Sequence, residues 1–102
     1  MTVSRRLLIS ARAKNEIREA KRWWRRERSK APSALGDELR AAFGLLREFP
    51  MAGRPIDDEL FVAVRRLSLN RTHYYLFYEI RDSEIVIIGF RHQSRDAEAP
   101  PD

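Results

Sequence analysis

The sequence contains no cysteine, so no disulfide can staple the chain and no thiolate can hold a metal. Histidine is almost as scarce. His73 and His92 are the only two, a poor ligand set by themselves, and neither a metal nor a cofactor is expected. No glycine-rich phosphate loop and no Ser/His/Asp pattern occurs. Apolar runs stop well short of the roughly 18–20 residues that cross a bilayer, and no secretory leader is visible. These absences point to a cytoplasmic protein. Neither repeats nor a low-complexity linker divides the 102 residues, so a single domain is expected over 1–96, with 97–102 (AEAPPD after Asp96) fraying.

Charge is what the sequence has in abundance: 34% of residues are charged, beside 43% hydrophobic, as in a globular and unusually charged domain. The net charge of +5 conceals an asymmetry. Residues 1–30 hold 11 Arg and Lys against 3 Glu, a balance of +8, whereas the other 72 hold 9 against 12. Such polarity suits an acidic partner, either nucleic acid or an acidic protein segment. A solvated helix face that keeps the protein soluble is the competing reading.

The chain is organised around VAVRRLSLNRTHYYLFYEIRDSEIVIIGFRH, residues 62–92. Val62 and Val64 alternate, and the pattern then slips to Leu67 and Leu69, which predicts a bulge at Arg65–Arg66. In the next segment Tyr74, Leu76, Tyr78 and Ile80 share one face, and His73, Tyr75, Phe77 and Glu79 the other. Ile85 to Phe90 is apolar on both faces, as in a strand covered on both sides. Asn70–Thr72 and Asp82–Ser83 are turn material, too short to hold crossover helices, so the three strands form an antiparallel meander. Before them, Val3–Ile9 predicts a short strand, with Val3, Leu7 and Ile9 facing in. Periodicity does not say how it joins the meander.

Two helices lie between. Ser10 is placed to cap a helix over Ala11–Arg28 whose apolar stripe is Ala13, Ile17, Ala20 and Trp24. A second, over Ser33–Phe49, carries Leu35, Leu39, Ala42, Phe43, Leu46 and Phe49, and Pro50 stops it. Joined by about four residues, they should form an antiparallel hairpin. Met51–Leu60 reads as a connection, with a turn at Gly53-Arg54-Pro55 and an acidic cluster at Asp57-Asp58-Glu59. The fold class is therefore α+β: a two-layer β-α-α-β-β-β domain with the hairpin packed on an antiparallel sheet.

Placed at 100° per residue, Lys14, Arg18, Lys21, Arg22 and Arg25 run down one flank of the first helix, while Glu16 and Glu27 share the other with Trp23. Like charges left adjacent cost a few tenths of a kcal/mol per close pair, which marks the basic flank as a candidate binding surface. The sheet adds Arg65, Arg66, Arg71, His73, Tyr74, Tyr75, Arg91, His92 and Arg95. Cations with a proton-transfer group would serve RNA cleavage, and equally the binding of an acidic partner. His92 reads as a functional or a hydrogen-bonded structural residue, Tyr74 and Tyr78 as core aromatics, Tyr75 as a surface group, and Arg91 as a partner contact or a charge that guards the sheet edge.

The element order, the phrases LLREFPMAGRP and LSLNRTHYYLFYEI, and the ending IIGFRHQSRD together resemble the ParE branch of the RelE/ParE toxin superfamily. The resemblance runs from about Val3 to Asp96. It implies a RelE/ParE-like fold and the toxin component of a type II toxin–antitoxin system, a plasmid stabilisation protein held inactive by a ParD-like antitoxin. ParE-type members inhibit DNA gyrase, whereas RelE-type members cleave mRNA on the ribosome. Of the groups that the cleaving branch uses, Arg66 and Arg95 match. Ser68 and Tyr75 stand where basic groups are expected, and Pro100-Pro101 where a C-terminal Tyr is. The resemblance thus implies a gyrase inhibitor, not itself an enzyme. Arg66, Tyr75, Arg91, His92 and Arg95 are the candidate target contacts, and the uncompensated charge of residues 1–30 makes Lys14, Arg18, Lys21, Arg22 and Arg25 the candidate antitoxin contacts. A ribonuclease built on Arg66, His92 and Arg95 and an inactive basic binding domain are the alternatives.

Overall fold

A computed structural model describes residues 5–56 and 63–94. Val3, Val62, the acidic cluster at 57–59, Arg95 and the tail at 97–102 lie outside the described residues. The elements follow as β1 (Arg6–Ile9), α1 (Ala11–Glu27), α2 (Ala34–Glu48), a 3-10 turn (Pro50–Ala52), β2 (Arg54–Pro55), β3 (Val64–Leu69), β4 (Tyr74–Arg81) and β5 (Glu84–His92). The five strands make one sheet in the order β1-β5-β4-β3-β2. β3, β4 and β5 form the expected antiparallel meander, and two-residue β2 extends it. β1 joins the far edge parallel to β5, with Arg6 opposite Glu84 and Ile9 opposite Ile87, so the sheet is mixed rather than wholly antiparallel.

α1 starts where local chemistry dictates. Ser10 Oγ accepts the Ala13 N–H (3.1 Å), satisfying one of the orphan donors of the first turn of α1. The stripe Ala13, Ile17, Ala20 and Trp24 is buried as its spacing requires. Trp24 Nε1–H donates to the Ala31 carbonyl (2.8 Å), which pins the connection between the helices. α2 buries Leu35, Leu39, Ala42 and Leu46, while Phe43 is only partly covered. Phe49 departs from its expected place. It falls at the C-cap, after the helix has ended, and is 59% exposed.

The helices cover one face of the sheet, where Leu69, Tyr74, Leu76, Tyr78, Ile85, Ile87 and Phe90 meet them. The bulge expected at Arg65–Arg66 is absent: β3 pairs with β4 without interruption from Val64 to Leu69. Strict alternation therefore sends Val64 to the outer face with Phe77 and turns Arg65 toward the helices. Arg65 is not stranded there. Its Nη1 donates to the carbonyls of Gly53 (2.6 Å) and Met51 (3.3 Å). The discontinuity lies instead between β4 and β5, where Phe77 pairs with Gly89 and Tyr78 with Ile87, leaving Ile88 as an extra residue.

Two polar clasps tie the layers together. Glu38 on α2 accepts the N–H groups of Arg71 (2.9 Å) and Thr72 (2.8 Å) and the Thr72 hydroxyl (2.6 Å), so the β3–β4 turn hangs from a helix carboxylate. The second explains the phrase FPMAGRP. The fully buried Tyr78 hydroxyl donates to the Pro50 carbonyl (2.7 Å) and accepts the Gly53 N–H (2.8 Å).

Burial raises the Tyr78 pKa above its ordinary value of 10.0, against smaller lowering effects of the Gly53 N–H and Arg65. The folded protein thus holds this proton to higher pH than the unfolded chain. The associated stability is complete below about pH 10 and is lost as pH rises through the folded-state value. Denaturation midpoints measured from about pH 9 upward should fall, and the fall should be shallower for Tyr78→Phe, which has no such proton. Equal slopes for the two proteins would assign the alkaline loss to other groups.

Candidate functional site

The extra residue in β5 decides which side chains enter the site. Ile85 and Ile87 face the helices, and after Ile88 the alternation resumes one step out of phase. Phe90 and His92 consequently face the helices too, opposite Leu76 and Tyr74. β1 has already ended beside Ile87, with the Ser10 N–H on the Ile87 carbonyl (2.9 Å). Beyond that point the edge of β5 is met by α1. Glu16 Oε1 accepts the Phe90 N–H (3.0 Å), a side chain standing in for the missing strand. Glu16 Oε2 lies 3.7 Å from Arg91 Nε and 3.8 Å from Arg12 Nε.

Between α1 and this end of β5 opens a groove of about 530 Å³. Tyr74 and Phe90, stacked at 4.7 Å between ring centroids, make its floor. The His92 ring stands edge-on to Tyr74 at 5.1 Å and lies 6.3 Å from the Trp23 ring, which is 37% exposed. Glu16, Glu19 and Arg91 add charge to the walls. The Ser94 N–H donates to His92 Nδ1 (3.2 Å), and Ser94 Oγ lies 2.7 Å from the same nitrogen. A ring nitrogen that accepts a backbone N–H carries no proton, so the neutral imidazole holds its hydrogen on Nε2.

The other candidates lie elsewhere. Arg66 and Tyr75 are on the outer face, with the guanidinium 4.2 Å from the ring centroid. Arg91 shares the register position of Tyr75 and is held by Glu16. His73 and Arg71 are exposed in the β3–β4 turn, His73 with a φ of 65°. Lys14, Arg18, Lys21, Arg22 and Arg25 are all exposed on α1, and none enters an ion pair among the described residues. Nor do the described residues bring together three groups able to hold a metal. Sequence reasoning had placed Glu16 beside Trp23 on one flank, but not on the groove, and it passed over Glu19. The signal was present in the spacing, because 16, 19, 20 and 23 share a helix face.

Comparison with known proteins resolves what this arrangement belongs to. The sequence profile of the ParE toxin of type II toxin–antitoxin systems, parDE, matches residues 7–97. The chain belongs to the ParE toxin family. No curated protein matches the sequence. Among solved structures, the ParE fold is shared with the chromosomal ParDE toxin–antitoxin system from P. aeruginosa, at a TM-score of 0.73 and 19% identity, covering 89% of this chain and 98% of that one. It is also shared with the toxin–antitoxin complex RelBE2 from Mycobacterium tuberculosis, at a TM-score of 0.67 and 23% identity, covering 90% of this chain and 94% of that one. At these identities the likeness is one of fold. Against the ParE architecture, the polar parts of FPMAGRP have a structural task, the capture of Tyr78 by Pro50 and Gly53 and of Arg65 by Met51 and Gly53. No described helix is long and apolar enough to cross a membrane.

Proposed function

We propose that this ParE toxin acts by inhibiting DNA gyrase in the cytoplasm, without catalysis of its own, and that a ParD-like antitoxin neutralises it. The observation that carries the non-catalytic reading is the separation of Arg66 from His92. Phosphodiester cleavage needs an acid, a base and phosphate-stabilising charge held together, and groups that act as a unit fail together. Arg66 lies over Tyr75 on the outer face, whereas His92 lies over Tyr74 on the helix side. One phosphate cannot engage both across the sheet. The residues proposed for target contact are accordingly Arg91 and His92 at the end of β5 and, from the sequence, Arg95, with Arg66 and Tyr75 as a separate outer patch.

The test sets the two chemistries side by side. Purified toxin added to gyrase, ATP and plasmid should block supercoiling or trap cleaved DNA, and the same toxin in a translating extract should leave mRNA whole. Cuts in mRNA at the ribosomal A site, with supercoiling untouched, would overturn the proposal.

For the antitoxin, the surface that fits is the basic flank of α1, since its five cations meet no carboxylate within the described chain. Acidic side chains brought against that flank would steer association and be screened by salt. Arg18→Glu with Arg25→Glu should slow association by about tenfold or more at low salt, and added salt should slow the unaltered protein. Association rates read by surface binding kinetics, indifferent to both changes, would return the flank to a solvated role.

A further inference from the structure

The helix that is basic on its outer flank is acidic where it meets the groove. Of the three carboxylates on α1, Glu16 and Glu19 line the groove, while Glu27 pairs with Arg26 (3.5 Å) away from it. Glu16 is fully engaged, with one oxygen on the Phe90 N–H and the other shared by Arg12 and Arg91. Glu19 is different. It is exposed, and it has no ion pair or hydrogen bond among the described residues. One turn further along the same helix stands Trp23, whose ring borders the groove and already attracts a cation, the Arg28 guanidinium lying 5.9 Å from its centroid.

We propose that this groove receives an arginine side chain of the antitoxin, its guanidinium lying over Trp23 and pairing with Glu19. The inference rests on the antitoxin reading above and deepens it. Three features favour this occupant. An open carboxylate and an indole four residues apart on a helix face offer a guanidinium both of the partners that suit it, an oxygen pair for its fork and a π-face for its plane. The stacked Tyr74–Phe90 floor and the edge-on His92 make the wall rigid, so little ordering cost falls on the receiving side. The open Glu19 carboxylate repels the phosphate of a nucleotide, the other ligand that an aromatic groove would attract.

The consequence is a two-signed lock. An antitoxin segment must bring acidic residues to the outer flank of α1 and a basic one to the groove. A segment of either sign alone meets repulsion at one of the two places.

The experiment uses the full chain, labelled with nitrogen-15, first with small probes and then in complex with the antitoxin. N-acetyl-arginine amide should shift the Trp23 indole resonance saturably. N-acetyl-citrulline amide, the uncharged isostere, and AMP should bind at least about threefold more weakly. Glu19→Gln and Trp23→Leu, both at exposed positions and so compatible with folding, should each weaken the arginine probe about three- to tenfold. Equal response to citrulline, preference for AMP, or indifference to Glu19→Gln would overturn the arginine site and leave the wider antitoxin reading standing. Glu19→Lys should then shorten the lifetime of the toxin–antitoxin complex. A lifetime unaltered by that reversal would also overturn the assignment.

Discussion

Leu39→Ala should lower the stability of the domain by about 2–5 kcal/mol, the range for emptying a large aliphatic side chain from a packed core. Leu39 is 3% exposed in the middle of the buried stripe of α2. For a domain of this size the loss corresponds to a fall in melting temperature on the order of 10 °C or more. Phe43→Ala is the internal comparison. Phe43 packs against the cluster but is only partly buried, so its truncation should cost less than the 3–5 kcal/mol typical of a fully buried Phe, roughly half of it. Denaturant titration of the two variants reads both numbers. A larger loss at Phe43 than at Leu39 would mean that the face of α2 turned to the sheet is rotated from the one described.

The second large effect belongs to Gly53, and it comes from a close approach rather than from backbone strain. Gly53 has φ −77° and ψ 155°, extended values open to any residue. A Cβ placed there would lie 2.5 Å from the Tyr78 hydroxyl oxygen and 2.6 and 2.9 Å from two ring carbons. The ring cannot retreat, being wholly buried and bonded to Pro50 and Gly53. Gly53→Ala should therefore cost about 1–3 kcal/mol in overpacking. Displacement of the hydroxyl from its partners would add roughly 1–3 kcal/mol more. Tyr78→Phe alone should cost only that latter amount, since it strands the Gly53 N–H and the Pro50 carbonyl without a clash. The two changes should also be strongly non-additive, because they act on one contact. Equilibrium unfolding of both single variants and the double one tests this. A harmless Gly53→Ala would mean that the clasp stands open in solution.

Much of the architecture was legible because periodicity reports burial. The stripes of both helices, the shared face of Tyr74, Leu76, Tyr78 and Ile80, and the cap at Ser10 all follow from one-dimensional spacing. What failed was the placing of irregularities. The slip from Val64 to Leu67 looks like a bulge because the apolar residues change phase across Arg65 and Arg66. In fact that position is polar inside, lined by the carbonyls of Met51 and Gly53. The true bulge, at Ile88, hides within IVIIGF, where every residue is apolar and a change of phase leaves no trace. Phe49 continued the stripe by spacing but fell beyond the last helical turn. Glu16 and Glu38 were unreadable for a related reason: a carboxylate that satisfies backbone N–H groups across the fold has the same sequence appearance as one in water. The site suffered most from this. His92 and Arg66 both belong to the sheet, and only the phase set by Ile88 reveals that they lie on opposite sides of it.

The parallel pairing of β1 with β5 has a bearing on how the toxin comes into being. β5 is central in contact and last in order among the described elements, and it joins Arg6 to Glu84. A chain emerging from the ribosome makes β1 and both helices long before their neighbour in the sheet exists. Until residues 84–92 arrive, β1 has no strand to pair with, Glu16 has no backbone N–H to cap, and the groove has no second wall. Contacts that span almost the whole sequence also bear a large loop-closure cost, repaid only when the final strand docks. The sheet and the groove are therefore completed in one late event of synthesis. The basic flank of α1 is synthesised early and the groove beside it is completed last.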